Sequence, residues 1–202
     1  MMRKQVKDLF ETECKGCTFY DAVVQCKIGI DNENDQLLPW NVLSFSLIGG
    51  SLAPYVPTPC RVIRRMLSLA ELRSGEVLYD LGSGDGRIIL LAAVEFGARA
   101  IGLEKQEDLV EKSLDMIRKL HLDDKVKIIS GNLLETDLNA ADVVVMYLSP
   151  GGNSDVKPKL EHELRSGARV VSLEFEIQGW TFQKLDKIVD GGLTYTIYSY
   201  TV

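Results

Sequence analysis

The chain has 202 residues, enough for one domain with an appendage and a full hydrophobic core. Its 46% hydrophobic and 26% charged content is the ordinary balance of a soluble globular protein. The 29 acidic against 23 basic residues give a net charge of −6, which argues against a nucleic-acid phosphate surface and favours a cationic partner.

From the N-terminus, Arg3 to Glu13 reads as a short helix with Val6, Leu9 and Phe10 on one face. Cys14-Lys-Gly-Cys17 follows, with Cys26 nine residues later. Three clustered thiols lack the fourth donor of a structural zinc site, so free thiols are the expectation and no metal is assigned. The opening is polar and charged, without a signal-peptide pattern. A reducing, cytoplasmic setting is therefore expected. Leu37 to Leu52 is largely apolar but is interrupted by Pro39, Asn41, Gly49 and Gly50. It falls short of the ~18 residues of a spanning helix. A segment packed on the domain is expected, with membrane contact through residues 37–52, and a membrane-associated protein, as the alternative. Residues 1–53 are thus an N-terminal extension of uncertain structure, and residues 54–202 the main domain.

Pro54, Pro57 and Pro59 keep the lead-in Pro54-Tyr-Val-Pro-Thr-Pro59 extended. Thr58 reads as an N-cap and Pro59 as the first residue of a helix whose apolar stripe is Val62, Ile63, Met66, Leu67 and Ala70. Such a rigid strap is placed either over a bound ligand or as a plain helix-start linker.

Val77 to Arg87 is the centre of the chain. Val77, Leu78, Tyr79 and Leu81 suit a buried parallel strand, and Gly82, Gly84 and Gly86 a tight turn close to a ligand. Helical spacing resumes through Val94 to a stop at Gly97. The spacing is G-x-G-x-G, whereas a dinucleotide fingerprint needs a third glycine at position 87, which is Arg87. Asp80 and Asp85 flank the turn. They would repel a pyrophosphate and attract an ammonium and a sulfonium, the two cations of S-adenosylmethionine. Its carboxylate suits a helix N-terminus. Glu104 ends the next strand, about twenty residues on, where a ribose diol is received. A nicotinamide-type domain with a degenerate loop is the competing reading.

Beyond Glu104 the pattern predicts a helix over Glu107–Leu120, a strand over Lys125–Ser130 ending in Gly131-Asn132-Leu133, and a buried strand over Asp142–Leu148. Asn132 is either a cofactor contact or a turn residue. Then come a helix over Val156–Leu164, a strand over Arg169–Phe175, and strands over Lys184–Val189 and Tyr195–Val202 joined at Asp190-Gly-Gly192. His121 and His162 lie in charged helix ends and read as surface residues. The sum is an α/β, Rossmann-like, seven-stranded sheet with an antiparallel last strand.

Tyr55-Val-Pro-Thr-Pro59, Tyr79 to Arg87, Gly102-Leu-Glu104, Gly131-Asn132, Lys157 to Glu161, Gly167 to Ser172 and Phe175-Glu-Ile-Gln-Gly-Trp180 together resemble the class I S-adenosylmethionine-dependent methyltransferases. More narrowly the chain is similar to the archaeal broad-specificity protein lysine methyltransferases and the mitochondrial enzymes that methylate the c-ring protein of ATP synthase. The likeness covers Pro54 to Val202. It departs at Leu173, where a polar residue is expected, and in residues 1–53. It implies methyl transfer to lysines of protein substrates. The Asn-Pro-Pro-Tyr common at the fourth-strand exit of base and glutamine amino methyltransferases is replaced by Tyr147-Leu-Ser-Pro150. The expected cofactor set is Thr58, Asp80, Gly82, Ser83, Gly84, Asp85, Gly86, Glu104, Lys105, Gly131, Asn132 and Leu133. Tyr55 and Tyr147 are expected to line the methyl-transfer channel, with Glu174 and Trp180 near its mouth. A methyltransferase acting on a small metabolite or RNA, and a non-catalytic binding module, are the alternatives.

Overall fold

The computed structural model describes residue 53 and residues 55–202. The predicted N-terminal helix, Cys14, Cys17, Cys26 and the apolar stretch 37–52 lie outside them. Helix α1 (Cys60–Leu69) buries Val62, Ile63, Met66 and Leu67, the stripe read from spacing. Its cap differs from expectation. Pro59, at ψ 143°, stays extended and caps the helix through its carbonyl, which accepts from Ile63 N at 3.0 Å. Thr58 is thereby moved one residue off the cap and buried.

Strands β1 (Val77–Leu81), β2 (Arg99–Glu104), β3 (Val126–Ser130), β4 (Val143–Met146) and β5 (Arg169–Leu173) are parallel. Strands β6 (Lys184–Asp190) and β7 (Leu193–Thr201) close the sheet in the order β3-β2-β1-β4-β5-β7-β6. β7 runs antiparallel to both neighbours, because it returns through the hairpin at Gly191 and Gly192. These glycines hold φ of +56° and +78°, as a primed hairpin turn requires.

Helix α2 (Arg87–Leu91) runs on into a π turn over Ala92–Phe96 and stops at Gly97. Helix α3 (Glu107–Lys119) has acidic residues in its first turn and basic ones in its last, complementing its dipole. Helix α4 (Pro150–Glu163) begins six residues before the expected start at Val156. Ser149 is the N-cap, its Oγ accepting from Gly152 N at 3.0 Å, and Pro150 takes the first helical position. The two glycines that read as a loop sit in that capped first turn.

One core cluster joins Leu81, Leu103, Val144, Met146, Val156, Leu160, Val170 and Tyr200 across the sheet and α4. The strand order reverses between β1 and β4, and a parallel sheet opens a crevice at the carboxyl ends of such strands. Among the described residues no helix is long and apolar enough to cross a membrane.

Candidate functional site

The glycine turn after β1 is built against β2. Gly82 N and Ser83 N both donate to Leu103 O at 2.9 Å, and Gly84 N donates to Glu104 Oε2 at 2.8 Å. Ser113, fully buried on α3, donates from Oγ to Gly84 O at 3.2 Å. Gly84 is held at φ +55°, and a Cβ there would lie 2.6 Å from the Tyr55 ring. The 55–59 lead-in therefore lies on the glycine turn, and only glycine admits this approach. Gly102 has the matching role below, where a Cβ would meet Ser83 Oγ at 2.5 Å.

Three carboxylates converge here, and each has different partners. Glu104 accepts from Lys105 N and Gln106 N on Oε1 and from Gly84 N on Oε2. Backbone amides thus hold a nearly buried carboxylate group in place at the tip of β2. Asp80, at the tip of β1, is buried and its Oδ2 has no hydrogen-bond partner. Burial, then the Glu104 and Asp85 charges, push its carboxyl well above the usual range. Asp85 is neutralised instead. Arg87 grips it through Nε (2.9 Å) and Nη2 (2.7 Å), with both side chains buried. Asp85 is therefore part of a closed ion pair, not a free charge facing a sulfonium.

The same guanidinium ties down the lead-in. Arg87 Nη1 donates to Thr58 O at 3.2 Å, and Nη2 lies 3.4 Å from the Tyr55 hydroxyl. Burial and the Asp85 charge hold the Tyr55 phenol far above its ordinary value, so it stays protonated. Sequence reasoning misses Arg87 and Ser113 as site residues. The signal for Arg87 is a basic residue two positions after Asp85, and Ser113 looks like an ordinary helix polar.

The remaining expected residues are placed as follows. Lys105 is exposed just past β2. Gly131, Asn132 and Leu133 follow β3, where Asn132 closes its own turn by accepting from Leu134 N and donating to Glu135. Tyr147 leaves β4 beside the glycine turn, since Leu148 would touch a Cβ on Gly82 at 3.3 Å. Glu174 leaves β5 in the left-handed region, φ +67°, with Oε1 accepting from Thr196 N at 2.9 Å. Its carboxyl is raised by burial and lowered by that bond.

Trp180 stands elsewhere. Its indole donates to Glu161, near the C-terminal end of α4, and its ring meets Tyr200 edge-on at 5.6 Å. The N-terminus of α4 is the end beside the strand tips, so Trp180 packs toward the opposite end. Buried Asn153, near that N-terminus, donates to Ser172 Oγ at 3.1 Å and Phe175 O at 3.0 Å and fixes the exit of β5.

Asp80 Oδ2 and Ser83 Oγ, buried and without a hydrogen-bond partner, are the groups beside the glycine turn left to meet a polar and cationic ligand. Glu104 adds an acceptor for a diol. The residues present fit S-adenosylmethionine.

A sheet of this order, with acid-tipped β1 and β2 around a three-glycine turn, defines a class I S-adenosylmethionine-dependent methyltransferase. A family model described as "ANTKMT methyltransferase domain" matches residues 80–184, and the chain belongs to that family. It is 44% identical to a protein-lysine N-methyltransferase of Saccharolobus islandicus over 150 residues, 74% of this chain and 93% of that protein. It is 29% identical to the Rattus norvegicus lysine N-methyltransferase of the ATP synthase c-ring protein, over 77% of this chain and 81% of that one. Its structure is also similar to an RNA methyltransferase of Salinibacter ruber solved with S-adenosyl-L-homocysteine. That likeness has a TM-score of 0.68 and 40% identity and covers 72% of this chain and 93% of the other.

Proposed function

We propose that this methyltransferase transfers methyl groups to lysine side chains of proteins. The observation that carries the reading is the 44% identity, over nearly the whole length of the relative, to a protein-lysine N-methyltransferase. The net charge of −6 supports it, since a basic protein surface is attracted and a phosphate backbone repelled.

The bound cofactor supplies an electrophilic methyl group on a sulfonium. Glu104 and the amides it accepts from hold the glycine turn and offer an acceptor to the ribose. The acceptor nitrogen must attack the methyl group as a neutral amine. With a free pKa of about 10.4, under ~0.1% of lysine is neutral at pH 7. Apolar surroundings and a nearby positive charge raise that fraction. Tyr55 cannot serve as the base, because its phenol is held protonated. It acts as an aromatic wall fixed over the turn by Gly84 and Arg87. Tyr147, at the tip of β4, is the second wall. Glu174 has one oxygen on Thr196 N and a second to turn toward an incoming ammonium. Holding nitrogen and methyl in line then accounts for much of the acceleration.

RNA is the second reading, favoured by the likeness to the RNA methyltransferase of Salinibacter ruber. The test is incubation with labelled cofactor and a cell lysate, followed by mass spectrometry of the labelled fraction. Label on lysine is expected. Label confined to RNA or a metabolite overturns the lysine assignment. A cytoplasmic enzyme is our reading of location, and fractionation with membranes would contradict it.

A further inference from the structure

In β6 the alternation of side chains is inverted. Leu185, Lys187 and Val189 point outward, while Asp186, Ile188 and Asp190 are half-buried. The inward row is held by α1, where Arg65 pairs with Asp186 and Arg61 Nη1 donates to Val189 O at 3.3 Å. The outward row is apolar at both ends: Leu185 is 45% exposed and Val189 59%. On β7 it faces Tyr198, Thr196 and Thr194 in register, and Phe182, 40% exposed, meets Tyr198 edge-on at 5.6 Å. Apolar side chains on the open face of an edge hairpin are a liability unless something covers them.

Among the described residues the face is left open for an identifiable reason. The connection from β5 to β6 carries no helix among the described residues. It is drawn along α4 by Asn153 on Phe175 O, Lys157 on Gln178 O at 2.9 Å and Trp180 on Glu161 at 2.8 Å. α4 itself covers β4 and β5 as far as Tyr200. Two groups of the backbone edge, by contrast, are already engaged. Lys187 N donates to Asp186 Oδ1 and Val189 O accepts from Arg61. Strand addition is therefore disfavoured, and the face is the docking element.

Its border is acidic. Glu174 and exposed Glu176 leave the tip of β5, and both charges act on Tyr198. That tip belongs to the same end of the sheet as Glu104 and the glycine turn.

We propose that the face formed by Phe182, Leu185, Val189 and Tyr198, bordered by Glu174 and Glu176, docks the protein substrate through an apolar segment flanked by basic residues. This rests on the lysine reading. The carboxylates match the charge of a lysine-bearing segment at the end where methyl transfer occurs. Lys187 sets the register: it repels a basic residue over the middle of the face and directs the basic flank toward β5.

The test uses the full chain and two labelled synthetic peptides of equal charge. One has leucine and valine around its lysine; the other has serine in their place. Leu185→Asp and Val189→Asp lie on the surface, and circular dichroism checks their folding. Expected is a roughly tenfold rise in Kd by anisotropy and in KM for the apolar peptide, the scale of one lost apolar contact. Affinity for S-adenosylhomocysteine and for the serine peptide is expected to stay unchanged. Unchanged Kd and KM for the apolar peptide overturn the proposal. So does a loss confined to binding of anionic phospholipid vesicles, or to self-association by sedimentation velocity, because the face would then serve a membrane or a second copy. Peptide binding that responds to the substitutions, with no methylated lysine formed, overturns the lysine reading alone.

Discussion

Glu104 gathers three backbone amides onto one carboxylate and still borders the glycine turn. Glu104→Ala removes those acceptors, and calorimetry should show S-adenosylhomocysteine binding weakened by about 1–3 kcal/mol, the size of lost charged hydrogen bonds. Unchanged affinity removes the ribose role. Asp80 has the opposite balance. Its carboxyl is raised in the fold by burial and by the Glu104 and Asp85 charges. Below the ordinary carboxylate range near 4 the folded and unfolded states bind the proton equally. As pH rises from there toward the raised folded value, the unfolded state ionises first and stability falls. Asp80→Asn should therefore raise the Tm at pH 7–8, by a few degrees for a gain of about 1–2 kcal/mol. That difference should shrink toward pH 4, while cofactor affinity drops. A variant no more stable at pH 8 than at pH 4, relative to wild type, contradicts this reading.

The strap over the glycine turn is held as an element, not residue by residue. Arg87 joins it to the turn through Asp85, Thr58 O and Tyr55. Arg87→Met leaves Asp85 buried and unpaired, and breaking such a pair costs about 3–5 kcal/mol. Adding Asp85→Asn should restore much of the lost Tm. It should not restore kcat/KM, because the strap is still unpinned from the guanidinium. Full recovery of both would make the pair a purely structural device. The capped start of α4 shows the same logic: Ser149 and Pro150 recruit two glycines into a helical turn, and that turn carries Asn153 to the exit of β5.

At the scale of the molecule, among the described residues the site runs from Tyr55 to Glu174, and the core cluster draws on Ala53 to Val202. A chain lacking residues 1–51 should bind S-adenosylhomocysteine within about threefold of the full chain, well under the ~1.4 kcal/mol of a tenfold loss. A tenfold weaker Kd would assign part of the site to the N-terminal extension. For lysine as acceptor, initial rates at saturating cofactor should climb between pH 7 and 9, because the neutral fraction of a group with pKa about 10.4 grows roughly tenfold per pH unit. A flat profile points to a nucleophile already neutral at pH 7.

Strand β1, the glycine turn and the acid ending β2 are legible in the sequence because they are local: a few adjacent residues set the strand, the turn and the two acids. The antiparallel last strand is legible from Asp190-Gly-Gly192 for the same reason. The tertiary structure decided what distant residues do to one another. It paired Asp85 with Arg87, laid Tyr55 on Gly84 from about thirty residues away, and brought Ser113 under the turn. It carried Trp180 from the expected mouth down to Glu161 and Tyr200. It also turned Leu185 and Val189 outward, since α1 had claimed the other face of β6. Charge state, burial and the facing of an edge strand depend on contacts across the sheet, and spacing along the chain does not encode them.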